Sequence, residues 1–341
     1  MSTYQDKFGQ AIDFNPERLS ARLGGGTVEI QRISGGQSNP TYFIEHGGRR
    51  MVLRKQPAGN TLPSAHAVDR EHRVMAAVGS TGFPVPEMIL LEEDPGPIGT
   101  SFYLMERLDG RVFPDSALPE MSAEDRGAAY RDMARTLARL HALDWEEIGL
   151  TGFGRPGGYF ARQVARWTKQ WHLSKTRDDD NIDQLCTWLA DNVPADDRTT
   201  IVHGDYRIGN LMFAPDAPRI VGVLDWELST LGHPLADLAH LGTFWDFEPD
   251  QLGGIAGLDL AALGLPTRDA FTEEYVAAGG CDAPLSTFHR AFALFRFAII
   301  FEGIAARHQS GNAAGEDAEA VGGLAASCAA KAIDALSRDS A

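Results

Sequence analysis

The dominant hydrophobic period of this chain changes near residue 109, and that change limits the fold more than any other feature. Before it, short runs rich in β-branched and aromatic residues dominate, at 28–33, 41–45, 51–55, 88–92 and 102–106. Gly, Pro and Asn separate them, as strands joined by tight turns require. One helical stretch interrupts, 64–78, with Val68, Met75 and Val78 on one stripe. Beyond residue 109 the period becomes helical, over 118–144, 159–172, 182–192, 268–278, 288–308 and 316–336. A small β-island at 201–202, 211–213 and 220–224 lies among these helices. The expected fold class is therefore α+β: a strand-rich part, 1–108, and a mainly helical part, 109–341, carrying a small β-insert.

Charge narrows the function. With 31 Lys and Arg against 47 Asp and Glu, the chain of 341 residues carries a formal charge of −16. No general cationic field draws it to nucleic acid, so any anionic ligand needs a local cation or a metal. Cys186, Cys281 and Cys328 are far apart, without zinc or CxxC spacing, which predicts free thiols in a reducing compartment. The first residues lack an apolar signal segment, and no run of about 18 apolar residues occurs. A soluble, cytoplasmic protein with no membrane and no nucleic-acid partner is the expectation.

The chemistry concentrates in Ile201-Val202-His203-Gly204-Asp205-Tyr206-Arg207-Ile208-Gly209-Asn210-Leu211-Met212-Phe213, followed by Ile220-Val221-Gly222-Val223-Leu224-Asp225-Trp226-Glu227. Carboxylates at strand ends beside a tight loop can converge on one cation or one reacting hydroxyl. His-Gly-Asp-x4-Asn with Leu-Asp-Trp-Glu resembles the catalytic loop and metal-binding aspartate of the aminoglycoside phosphotransferase and choline kinase group. These parallel the HRDxxxxN and DFG elements of protein kinases, with the same step of five from Asp to Asn. Gly204 and Trp226 depart from the protein-kinase Arg and Phe, which favours the small-molecule branch. The run from Trp226 to Ala239, with Leu53-Arg54-Lys55-Gln56-Pro57 and Ser64-Ala65-His66-Ala67-Val68-Asp69-Arg70-Glu71, is similar to the kinase-like domains fused to some acyl-CoA dehydrogenases.

The resemblance implies a bilobal protein-kinase-like fold, with a small antiparallel sheet in the N-lobe and a helical C-lobe. It also implies ATP and Mg²⁺ as cofactors and a hydroxyl of a small molecule as phosphoryl acceptor. In that frame Asp205 orients the acceptor hydroxyl and takes its proton. Asn210 and Asp225 hold Mg²⁺, with Glu227 as a further ligand or a group behind the first. His203 is read as a brace for the loop, and Asp237 as an acceptor of the loop's backbone N–H groups.

On the nucleotide side, a cation is expected on the third strand, and Arg54 and Lys55 lie on opposite faces of it. Both faces are apolar, so periodicity does not choose; likeness to choline-kinase-like members favours Arg54, with Lys55 as the alternative. Glu71 projects from the inward stripe of its helix, where a carboxylate is costly unless paired, which predicts a Glu71–Arg54 ion pair. Ser34, Gly35, Gly36, Gln37, Ser38 and Asn39 would cover the phosphates with backbone N–H groups. Glu106 and Leu108, in Met105-Glu106-Arg107-Leu108, would form the hinge that meets the base.

Gly152-Phe153-Gly154-Arg155-Pro156-Gly157 matches GxGxxG but lacks the preceding strand and carries Pro in the turn, so it is no dinucleotide site. Residues 148–177 hold six cations and no carboxylate. Arg162, Arg166 and Lys169 share a helix face there beside Trp167, which suggests a site for an anionic acceptor of the hydroxyacyl-CoA type. The competing readings are an aminoglycoside or choline-like acceptor, a nucleotide-binding pseudokinase, and a metallohydrolase built on His203, Asp205, Asn210 and Asp225. Either a monomer or a homodimer fits the sequence.

Overall fold

The computed structural model describes residues 4–33, 39–58, 67–309 and 318–339. The chain opens with a small ribbon, β1 (Tyr4–Gln5) and β2 (Ala11–Ile12), and a short helix, α1 (Pro16–Arg22), capped by the Asn15 side chain. Strands β3 (Val28–Arg32), β4 (Thr41–His46) and β5 (Arg49–Lys55) follow. Helix α2 (Val68–Gly79) then precedes β6 (Met88–Glu92) and β7 (Phe102–Glu106). These five strands form one antiparallel sheet in the order β3-β4-β5-β7-β6.

Alternation along β5 gives the sheet two differently dressed faces. Met51 and Leu53 are buried with Ile12, Phe14, Leu19, Tyr42 and Phe102 in a cluster under β1, β2 and α1. On the opposite face, Tyr103 joins Val68, Met75 and Val78 of α2 in the main core. Helix α2 buries Val68, Glu71, Val74, Met75 and Val78, one stripe at helical spacing that carries a carboxylate in its middle.

After β8 (Arg111–Val112) the helices dominate: α3 (Ala123–His141), α4 (Tyr159–Ser174) and α5 (Asp180–Asp191). Helix α3 starts five residues later than its periodicity suggests. Leu118 takes a positive φ of 49° and Pro119 follows, so the helix begins only where Ser122 caps the Asp125 N–H. The β-insert consists of β9 (Thr200–Val202), β10 (Leu211–Phe213), β11 (Ile220–Val223) and β12 (Thr230–Gly232). Strand β12 pairs antiparallel with β9, and β10 pairs with both β11 and β8. Helix α6 (Leu235–Gly242) follows, buried along its whole length. Helices α7 (Leu260–Leu263), α8 (Arg268–Ala277), α9 (Thr287–Gln309) and α10 (Ala318–Asp339) complete the fold. Phe288, Phe292, Phe295, Phe297 and Phe301 of α9 are all buried, and α9 packs on α4, α6 and α10. Each such ring taken from water stabilises the fold by roughly 1.5–3 kcal/mol. Among the described residues no helix is long and apolar enough to cross a membrane.

Candidate active site

Strand pairing brings the site together. Leu211 of β10 lies opposite Val223 of β11, so Asn210 and Leu224 are neighbours and the Leu224 N–H donates to the Asn210 carbonyl at 2.8 Å. Asn210, at the end of a 3-10 turn, and Asp225, one residue past Leu224, thus sit at adjacent ends of two paired strands. Strand β9 delivers the other side of the loop, ending one residue before His203.

The loop's backbone is anchored from α6. Asp237 is fully buried, and its carboxylate accepts the His203 N–H at 2.7 Å and the Gly204 N–H at 2.8 Å, with His141 Nε2 at 3.3 Å. Burial pushes the Asp237 carboxyl up, but His141 and the backbone donors outweigh it and hold the group below the usual range. His203 is also fully buried; its Nδ1 accepts the Asp205 N–H at 3.2 Å while Nε2 donates to the Leu224 carbonyl at 2.9 Å. The imidazole therefore ties the Asp205 turn to the Asp225 turn. Gly204 is required here: its φ is +86°, and a Cβ would stand 2.6 Å from the Leu228 carbonyl oxygen. The residue that departs from the protein-kinase pattern is the one that lets the two turns touch.

Asp205 faces outward from this frame, its side chain 23% exposed. Oδ2 accepts from Asn210 Nδ2 at 2.8 Å and from Arg207 Nε at 3.3 Å, and Oδ1 accepts from His240 Nε2 at 2.9 Å. Burial raises its affinity for a proton, yet the His240 bond and the Arg207 charge prevail and keep it ionised, well below the usual carboxylate range. Asp225 adopts left-handed backbone, φ 63° and ψ 64°, which turns its side chain out of the β11 direction. Strain of this kind is tolerated by Asp and concentrates at functional sites.

Across the cleft, Arg54 lies opposite Tyr103 in the β5–β7 register, and both reach Glu71. Arg54 Nε is 3.0 Å from Glu71 Oε2, Tyr103 Oη donates to the same oxygen at 3.0 Å, and Asn39 Nδ2 donates to Oε1 at 2.8 Å. The ion pair expected from the helix stripe is present. Burial nevertheless lifts the Glu71 carboxyl above the usual range, with Arg54 and Tyr103 pulling the other way. Arg54 Nη2 extends to Asp225 at 3.1 Å and Glu227 at 3.2 Å, so one guanidinium links sheet, helix and the Asp225 turn.

Lys55 does not belong to this group. Its side chain is fully buried on the opposite face of β5, paired with Asp13 Oδ2 at 2.6 Å. The phosphate-facing alternative at Lys55 is therefore overturned by the pleat: β5 turns this residue toward the cluster under α1. Ser34 to Ser38 lie outside the described residues, so the covering loop is known here only through Asn39, whose side chain is committed to Glu71. The Glu106 N–H, at the end of β7, is occupied by the Glu87 carbonyl at 2.9 Å. Leu108 lies over Gly222 of β11, where a Cβ would be 2.5 Å from its Cδ1.

The basic island is divided. Arg162 folds back onto the carbonyls of Gly157 and Arg155, bracing the GxGxxG look-alike turn. Lys169 borders an apolar groove of about 570 Å³ with Val164, Cys186 and Val193. Lys175 and Arg177 pair locally with Asp178 and Asp179. Of the three expected acceptor residues, Arg162, Arg166 and Lys169, none forms a hydrogen bond or ion pair with the Asp205 loop among the described residues. Arg166 stays exposed over the Trp167 ring, 5.4 Å from its centroid. Two residues escaped the sequence reading. Arg296 of α9 donates to the Gly204 carbonyl at 2.6 Å and lies 5.9 Å from the Trp167 ring, and His240 of α6 holds Asp205. Both are embedded in long apolar runs, and no motif marks them.

The donor set of Asn210, Asp225 and Glu227 is all oxygen, as a hard cation prefers. Asn210 spends its amide hydrogens on Asp205, on the carbonyl and Oδ2, which leaves Oδ1 as the donor. Among the described residues no group of three or more His, Cys, Asp or Glu is gathered as a ligand cage. Mg²⁺ needs none, since one or two carboxylates with substrate phosphates and water complete its shell. The residues fit that ion.

The phosphotransferase enzyme family (APH) profile matches residues 29–292. A crystal structure from Ralstonia eutropha, described as a candidate aminoglycoside phosphotransferase, is 40% identical with a TM-score of 0.88, covering 95% of this chain and 99% of that one. A thermostable aminoglycoside phosphotransferase, APH(4)-Ia, in complex with AMP-PNP and hygromycin B shares the fold at a TM-score of 0.63 and 17% identity, covering 94% and 97%. Acyl-CoA dehydrogenase family member 10 of Mus musculus is 40% identical over 92% of this chain and 30% of its own length. Family member 11 of Gallus gallus is 40% identical over 92% and 41%. The chain thus spans about a third to two fifths of these curated relatives. With its two-faced sheet and helical remainder, it has a protein-kinase-like fold and belongs to the phosphotransferase enzyme family.

Proposed function

We propose that this chain transfers the γ-phosphoryl group of ATP, with Mg²⁺, to a hydroxyl of an anionic small molecule of the hydroxyacyl-CoA type. The observation that carries the transfer chemistry is Asn210 and Asp225 at two paired strand ends, with Asp205 bonded to Asn210 and Arg54 bonded to Asp225. Asp205 would orient the acceptor hydroxyl in line and take its proton as the new O–P bond forms and the bond to the β-phosphate oxygen breaks. Arg54, fixed by Glu71, would hold the phosphates through a planar fork. Asn210 and Asp225 would ligate the metal, with Glu227 beside them; when bound, the metal neutralises charge on the phosphates. Residues 1–108 would supply the nucleotide side, with Glu106 and Leu108 at the hinge, and 109–341 the acceptor side.

The acceptor class rests on charge. Arg166 and Arg296 flank the Trp167 indole, and Arg296 touches the carbonyl of the residue preceding Asp205. A polycationic aminoglycoside would be repelled there, whereas the relatives bear the name acyl-CoA dehydrogenase, and an acyl-CoA is an anionic thioester. The test is ATP consumption against a panel of hydroxyacyl-CoAs and aminoglycosides. A hydroxyacyl-CoA should turn over, and Arg166→Ala should raise its KM. An unchanged KM in that variant, or turnover of aminoglycosides alone, refutes the acceptor assignment.

A further inference from the structure

A carboxylate anchored through one oxygen still swings about that oxygen, because the terminal torsion of Asp is broad. Asn210 and Arg207 hold only Oδ2 of Asp205, and both come from its own loop. The second anchor comes from elsewhere: His240 Nε2 meets Oδ1 at 2.9 Å. His240 stands one turn after Asp237 on α6, so a single helix fixes both the backbone and the carboxylate of the loop.

The surroundings of His240 are those of an apolar side chain. It is 3% exposed, stacked on Phe297 at 4.9 Å and 13°, with Phe244 edge-on at 6.4 Å. Its Nδ1 is buried with no hydrogen-bond partner among the described residues. A phenylalanine would fill this pocket without burying an unpaired nitrogen, which costs stability. The cost is explained if the N–H on the other side of the ring is needed. Burial also pushes the imidazole pKa down against the pull of Asp205, which favours a neutral ring protonated at Nε2.

We propose that His240 is a positioning residue for phosphoryl transfer, donating its Nε2–H to Asp205 Oδ1 and so fixing the carboxylate plane toward the acceptor hydroxyl. This rests on the phosphotransferase reading above and adds to it a residue outside the catalytic turns. Small displacements of a reacting group are expensive, so the loss should appear in the rate of transfer and not in nucleotide binding.

The test compares His240→Phe, which keeps the stack and removes the donor, with His240→Gln, which restores an N–H of similar reach. The probe is Mg-ATP with water as acceptor, read as phosphate release. His240→Phe should lower kcat roughly 10- to 100-fold with KM for ATP within about twofold, and His240→Gln should recover most of the rate. A wild-type kcat in His240→Phe, or equal losses in both variants, overturns the proposal. If the wild type and Asp205→Asn release phosphate equally, the phosphotransferase reading is what fails. The positioning bond is then judged by ¹⁵N-histidine NMR at neutral pH. His240 should be the neutral Nε2–H tautomer, with that proton's resonance moved by Asp205→Asn; an Nδ1–H tautomer contradicts the bond.

Discussion

Replacing Asp237 with Asn isolates the anchoring of the Asp205 loop, because the two side chains share one shape and differ in what they can accept. Both oxygens of Asp237 receive a backbone N–H, from His203 at 2.7 Å and Gly204 at 2.8 Å, in a site closed to solvent. An amide turned either way presents its NH₂ to one of those donors, so one charge-assisted bond is lost and one buried N–H is left unpaired. At roughly 1.5–3 kcal/mol for a bond to a charged group, with the desolvation of an orphaned donor in the same range, the cost is about 3 kcal/mol. Unfolding entropy near 2.1 cal/mol/K per residue gives about 0.7 kcal/mol/K for this length, so Tm should fall by about 4 °C. Differential scanning fluorimetry reads that shift, and phosphate release from Mg-ATP reads the loop, where turnover should fall at least roughly tenfold. A Tm within about 1 °C of wild type together with unchanged turnover would refute the assignment of Asp237 as the anchor.

Three further outcomes follow from the same geometry. Arg54→Met should weaken Mg-ATP binding by roughly 100-fold in calorimetry, while Lys55→Met, on the far face of β5, should leave the affinity unchanged; the reverse order would contradict the orientation of the strand. His289 is buried against Phe160, Phe288 and His233, and burial pushes its imidazole down to about 4 from an ordinary 6.5. The unfolded chain then binds the extra proton, so this stability is complete above pH 6.5 and is lost as pH falls through 4, about 3 kcal/mol in all. His289→Phe should flatten the acid limb of a Tm-against-pH curve, and an identical limb would show that the site is not buried neutral. Cys328 is buried with its thiol pushed up to about 12 and Cys186 is buried and raised, whereas Cys281 is half-buried beside Arg198. A thiol reagent should label Cys281 first, Cys186 at the groove more slowly, and Cys328 only on unfolding; equal rates would contradict this packing.

What the sequence disclosed depended on whether a residue's meaning lay in its neighbours along the chain. Asp205, Asn210 and Asp225 were legible because a strand, a five-residue step and a second strand end are local patterns; pairing of β10 with β11 then sets Asn210 beside Asp225, and the Asn210 amide ties Asp205 to them. Glu71 was legible because a carboxylate on an apolar helix stripe demands a cation. The choice between Arg54 and Lys55 was not, since both faces of β5 are apolar and only the placement of α1 and α2 on opposite sides decides it. Arg296 and His240 were invisible for a related reason: each lies on a helix whose buried aromatic and aliphatic neighbours read as core. The basic island misled in part because spacing shows which residues share a helix face, not which of them are spent on nearby carbonyls, as Arg162 is.

The central claim is that Asp205 works on the acceptor and not on the nucleotide, and Asp205→Asn tests it most directly. Transfer of label from γ-³²P-ATP and calorimetric binding of Mg-ATP should be measured on the same preparation. Removing a general base costs roughly 10²- to 10⁴-fold, so turnover should drop by that much while Mg-ATP affinity stays within about twofold of wild type. Turnover equal to that of wild type, or a loss that follows entirely from failed nucleotide binding, would contradict the account.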